Sequence, residues 1–167
     1  MASQFPLTLT HSSSQPEPRV AEYTFLSTDT SQPGDLVFLD TADNNVKKCG
    51  ASPALILGIC LGYAPSATNI TGGGMKVEPY ATNKVPVAVL TGDVTVSMSS
   101  TVTPALSFLA RSQDIVNTII TSGAGIRSFW QLASTTAATR VRVIDMDITN
   151  GIFYVRFIDT FLQSLVS

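Results

Sequence analysis

Histidine is nearly absent from this chain. His11 is the only one, and it stands in a serine- and proline-rich stretch, His11-Ser-Ser-Ser-Gln-Pro-Glu-Pro18. A Ser–His–Asp relay needs its imidazole fixed against a third group, and such a stretch is a poor place to fix one. Cysteine is scarce too. Cys49 and Cys60 form no Cys-x-x-Cys pair and have no histidine near them, which removes the usual zinc arrangements. The two thiols fit the role of small hydrophobes in or beside apolar strands, and a disulfide stays open as an alternative. Charge is sparse: 13% of residues are Asp, Glu, Lys or Arg, well under the usual quarter. The net charge is −2 and the cations are scattered, so no basic track exists for nucleic acid. No apolar run approaches the ~20 residues that span a bilayer. Met1-Ala-Ser-Gln-Phe-Pro6 has neither the basic nor the apolar region of a secretion signal. Neither nucleic acid nor membrane is therefore an expected partner. A low-charge surface points instead to burial against other proteins; the alternative is a β surface solvated by its Ser and Thr residues.

What the chain does have is a succession of short apolar and β-branched runs set between turn residues. Gly34-Asp-Leu-Val-Phe-Leu-Asp40, Leu55-Ile-Leu-Gly-Ile-Cys-Leu-Gly62 and Val85-Pro-Val-Ala-Val-Leu90 have the length and composition of buried strands. Thr41–Asn45 reads as a hairpin turn into Val46–Cys49. Thr91-Gly-Asp93 reads as a tight turn joining Val85–Leu90 to Val94–Met98, and Pro86 places its strand at an edge or in a slot that needs no donor. Thr103–Ala110 is open between a short helix and a strand. Ile115–Ile120 favours a strand, Ser122–Gly125 a turn and Ser134–Thr139 a polar linker, but residues 99–138 yield no clear pattern beyond these pieces. The plainest hairpin is Arg140–Ile148 and Ile152–Ile158, joined through Asn150-Gly151, both of which tolerate positive φ. Phe153 and Phe157 fall on one face of its second strand and Tyr154 on the other. Asp159 opens a short C-terminal helical turn as its N-cap. The class is all-β, with a β-rich domain over residues 21–167 and an extended arm over residues 1–20.

Several patterns invite a chemical reading and fail it. Gly72-Gly-Gly74 is followed by no Gly-Lys-Ser/Thr and no helix, so it is not a phosphate loop. Asp145 and Asp147 would share one face of a strand, but two solvated acids near a hairpin end explain them. Asp40, Asp43 and Asn44 have ordinary turn chemistry. No catalytic residue, cofactor site or metal site is expected, and the chain is not read as an enzyme.

Three segments in order, Pro33-Gly-Asp-Leu-Val37, Ile56-Leu-Gly-Ile59 and Val85-Pro-Val-Ala-Val-Leu-Thr-Gly92, resemble the capsid decoration, or cement, proteins of tailed bacteriophages. In that pattern a Gly-Asp strand opens the β domain, an Ile/Leu-Gly-Ile strand follows, and a Val-Pro-Val strand ends in Gly. The match covers about half of the chain, and residues 99–138 depart from it. The resemblance implies a compact β-barrel or β-tulip-like body with a short C-terminal helical turn, in a structural virion protein made in the host cytoplasm. It would sit as a homotrimer on the outer surface of the head and clamp subunits of the major capsid protein. Its arm would add a strand to a sheet edge of the shell, with Phe5, Leu7 and Leu9 as the grip. His11, Arg19, Trp130, Phe161 and Leu165 complete the candidate contact residues. Two other roles stand beside it: a tail, fibre or head–tail connector protein, and a β-domain ligand-binding module.

Overall fold

The computed structural model describes residues 8–9, 18–67, 83–122, 125–134, 136 and 138–163. It is all-β, with two 3-10 turns and no α-helix among these residues. The chain forms two curved sheets. The smaller has the order β2 (Val20–Thr24), β6 (Lys84–Val89), β5 (Gly58–Cys60), β3 (Leu36–Asp40), β4 (Asn45–Lys48). Its ends approach one another through a bridge between Phe25 and Val46. The larger has the order β8 (Ser112–Gln113), β11 (Val141–Asp147), β12 (Ile152–Phe157), β7 (Thr95–Ser100), β10 (Gly125–Leu132), β9 (Ile115–Ser122). Only Asp114 separates β8 from β9, so one chain segment supplies both ends of this sheet, a nearly closed six-strand barrel. A short strand β1 (Thr8–Leu9) lies against β7.

Alternation along β3 and β5 explains why these strands read as unbroken apolar runs. Leu36, Ile56 and Ile59 face a large core that also holds Met98, Trp130 and Phe153. Their neighbours Val37, Leu57 and Cys60 face a small core with Phe25, Val46, Val85 and Val87. A strand covered on both faces has no polar side to show. Each such Leu, Ile or Val removed from water stabilises by about 1.5–3 kcal/mol. Gly58 has a separate reason: a Cβ there would meet the Ala88 carbonyl at 2.2 Å, inside the pairing of β5 with β6.

Polar groups fix the turns. Gly34 adopts φ 91°, and the next carboxylate, Asp35, is buried. It accepts the Gln32 N–H at 2.8 Å and pairs with Lys48 at 2.8 Å. The Gly-Asp wording that opens β3 is thus a turn whose acid locks it to β4. At the other end of β3, the Gln163 amide takes the place of a strand: Leu39 N–H donates to Oε1 at 2.6 Å, and Nε2 donates to the Leu39 carbonyl at 2.8 Å.

Four expectations are corrected or narrowed. First, β6 and β7 do not form a hairpin. The turn exists, closed by Val94 N–H to Thr91 O at 3.0 Å, but β6 pairs with β2 and β5 while β7 pairs with β12, β10 and β1. The connection crosses between sheets because Val87 and Val89 belong to the small core and Leu90 to the large one. Second, of the two places open to Pro86 the edge is excluded, which leaves the slot that needs no donor. Pro86 lies in an inner strand opposite Glu22, and its carbonyl accepts Leu61 N–H just past the end of β5. Third, at the β11–β12 hairpin only Gly151 takes positive φ, at 70°. Asn150 is held by Asp147, whose carboxylate accepts both its backbone and its side-chain N–H groups. Fourth, Asp159 lies in the first turn of its 3-10 segment (Asp159–Phe161) rather than capping it; the cap position is Ile158, with no side-chain bond.

Arg140 joins the two sheets. It is 6% exposed. Its Nε donates to the Pro53 carbonyl at 2.8 Å, its guanidinium pairs with Asp114 at the β8–β9 break, and it lies 5.5 Å from the centre of the Phe161 ring. Removing one partner of a buried pair leaves the other charge uncompensated. Arg140→Ala is therefore expected to cost about 3–5 kcal/mol, read as a lower urea midpoint. Arg140→Lys should recover less than half of the loss, because an ammonium cannot reach both acceptors and stack at once.

Candidate partner-binding surface

β7 is the most heavily shared strand of the larger sheet. β12 covers one side of it over Thr95–Met98. On the other side β10 reaches only Ser99 and Ser100, and the arm takes the remaining length, with Thr8 opposite Ser97 and Leu9 opposite Val96. All six β7 residues are buried although four are Ser or Thr. Their hydroxyls are used: Arg156 Nε donates to Thr95 Oγ1 at 3.2 Å, Gln131 Nε2 to Ser99 Oγ at 3.0 Å, and Ser100 Oγ to the Leu132 carbonyl at 3.2 Å. Over the two residues of β1, then, the arm folds back on its own domain.

The candidate contact residues fall into distinct groups. Phe5, Leu7, His11 and Leu165 lie outside the described residues, and Leu9 is described through its backbone pairing. Arg19 is exposed, with its carbonyl accepting Val89 N–H at 2.8 Å. Trp130 is not available as a surface anchor. It is 0% exposed, because alternation along β10 turns it into the large core. Phe161 is half-buried against Arg140 and its carbonyl accepts Ile56 N–H at 2.7 Å, so it holds the C-terminal segment to the small sheet.

Sequence reasoning missed other exposed groups. Leu106 (70% exposed) and Leu109 (39%) stand on a turn that docks on β11 through Ala110 N–H to the Val143 carbonyl, near Ile144 (41%). Phe108 of the same turn packs edge-on against Phe153, with centroids 5.8 Å apart. Ile144 follows the buried Val143 and is outward by alternation, and the register shift between Val143 and Asp145 leaves Asp145 exposed beside it. A bulge of this kind has no sequence signal without its partner strand.

A pocket of about 260 Å³ opens beside β3, lined by Phe38, Cys49, Ser52, Pro53 and Leu55 among others. The lining is mostly apolar and carries no charged side chain. The turn acids are also occupied: Lys47 Nζ stands 2.7 Å from both Asp40 and Asp43 and draws both carboxyls below their ordinary range. Among the described residues no group of His, Cys, Asp and Glu gathers as a metal site, and no helix is long and apolar enough to cross a membrane.

No protein-family model matches this chain, and neither does any curated protein or solved structure. Its function must be argued from its own residues.

The two cysteines are free and buried, one in each core. Burial, aided by the charge of Asp35, pushes the Cys49 thiol up to about 12. Burial also pushes Cys60 up to about 12, partly offset by a backbone hydrogen bond at Gly62. Both thiols should resist iodoacetamide at pH 8 in the folded protein and react in urea; rapid labelling of either without denaturant would contradict the burial. The folded values lie above the unfolded value of 9.0. The unfolded chain therefore loses these protons first, and stability falls as pH rises from about 9 toward 12.

Proposed function

We propose that this chain is a structural virion protein that binds the outside of a phage head. It would stabilise contacts between major capsid subunits, as a trimer whose arms reach the shell. The observation that carries this reading is the attachment of the arm. Among the described residues β1 meets its own domain through two residues on β7. A hydrogen bond contributes about 0.5–1.5 kcal/mol net, so a pairing this short is readily exchanged for a longer one on another sheet edge. The segment between Leu9 and Val20 has three successive serines and two prolines, with no pattern that competes for pairing. The exposed Leu106, Leu109 and Ile144 supply apolar contact area beyond the arm. On a repeating shell, modest contacts of this kind add up to high avidity.

The mechanism is contact energy, with no bond made or broken. Deleting residues 2–18 should leave the melting temperature within a few degrees and reduce co-sedimentation with expanded heads at least tenfold. Unchanged binding would remove the arm from the mechanism. The position on the particle is tested separately by electron microscopy of virions labelled with an antibody to this chain. Label over the shell faces supports decoration; label confined to the tail or to one vertex replaces it with the tail or connector role.

A further inference from the structure

The β11–β12 hairpin sets two arginines directly opposite one another: Arg142 is the register partner of Arg156. Their sequence neighbours Val141, Val143, Val155 and Phe157 are buried in the large core. Alternation therefore turns both arginines to the outer face of the sheet. Arg142 is exposed and Arg156 half-buried. Like charges directly across a strand pair are destabilising, so this arrangement works against the hairpin that carries it.

Among the described residues no salt bridge relieves it. Lys47, Lys48 and Arg140 each have a carboxylate partner. Among the described residues Arg142 has none, and Arg156 has only the Thr95 hydroxyl, at 3.2 Å through Nε. Two acids lie on the same side. Asp93 is hydrogen-bonded to Thr91 and feels Arg156 only as a lesser influence, while Asp145 accepts the Met146 N–H at 2.8 Å. The two side chains thus leave the outer face from opposed register positions, Arg156 leaning to Thr95 of β7 within the influence of Asp93 and Arg142 with no carboxylate partner among the described residues. Tyr154, half-buried, stands one outward position along β12.

We propose that Arg142 and Arg156 form a receptor for the carboxylates of an acidic loop on a protein partner. This rests on the assembly reading above and gives the chemistry of the surface that the sheet meets. A guanidinium presents a planar fork to a carboxylate, and two long side chains rising from Cβ atoms about 5 Å apart can converge on one acid or take two on neighbouring residues. The bound acid also removes the repulsion that the free hairpin carries. A nucleic-acid backbone fits less well: its successive phosphates would run over Asp93 and Asp145, and two cations make a short track.

The test uses the full chain and a hexaglutamate peptide at low salt. Arg142→Gln should hold or raise the melting temperature by about 1–3 °C and weaken peptide binding at least tenfold. Arg156→Gln should weaken binding similarly, and Arg142→Lys should fall between. Binding by Arg142→Gln equal to that of the wild type overturns the proposal. So does a fall in its melting temperature, which would make the pair a stabilising feature, or stronger competition by inorganic phosphate or oligo-dT than by the peptide. Peptide binding needs no capsid, so its failure is separable from that of head decoration. Normal head binding with no response to hexaglutamate would sink this inference alone.

Discussion

Everything in this fold depends on β3 and β5 being covered on both faces. A two-sheet protein usually has one core, and each strand alternates apolar and polar residues across it. Here the central strands serve two cores at once, with Leu36 and Ile59 turned one way and Val37 and Cys60 the other. That shared wall couples the sheets, since neither core can loosen without exposing a strand belonging to both. It also accounts for the composition. A chain with two cores and few residues to fill them needs many apolar side chains and leaves few positions for charge.

Polar interactions then determine how the sheets are held, and most of them are buried or nearly so. Asp35 ties the turn before β3 to Lys48 of β4, Gln163 stands in for a missing strand beside Leu39, and Arg140 spans the sheets between Pro53 and Asp114. Each satisfies backbone groups that an irregular crossing would otherwise leave buried without partners. The few charged residues are therefore not a thin version of an ordinary surface. Several are structural parts, and the unpaired Arg142 differs from them in that respect.

The all-β class and most strands were legible in the sequence because period and turn chemistry are local. Leu36–Asp40, the β11–β12 hairpin and the inward faces of Phe153 and Phe157 follow from alternation alone. What escaped depends on pairing across long separations. Val85–Leu90 and Val94–Met98 satisfy the grammar of a hairpin, yet each finds its partners in a different sheet, and no local signal records that choice. Residues 99–138 were opaque for a related reason: β7 and β10 carry Ser, Gln and Thr at buried positions, where the hydroxyl and amide bonds that permit this join distant strands. Trp130 looked like an anchor because a large aromatic after a glycine-rich turn suits either surface or core, and only the neighbouring strands decide. The candidate surface was least legible, since the bulge at Ile144 and the pairing of Arg142 with Arg156 exist only once register is set.

Register also brings the separate surface features together. Along β7, Thr95 stands opposite Arg156, and two residues on Ser97 stands between Tyr154 on one side and Thr8 of the arm on the other. The arm is thus seated one outward row away from the arginine pair. If the arm leaves β7 to pair elsewhere, it uncovers a sheet edge beside Arg156 and Arg142, of which Arg142 has no acid partner among the described residues. A partner offering both an open strand and a carboxylate at that spacing would meet both features at one place. In the smaller sheet the ends approach one another through the Phe25–Val46 bridge, and Gln163 bonds the free side of β3 at Leu39. The apolar strands that dominate the sequence support the larger sheet that carries these features.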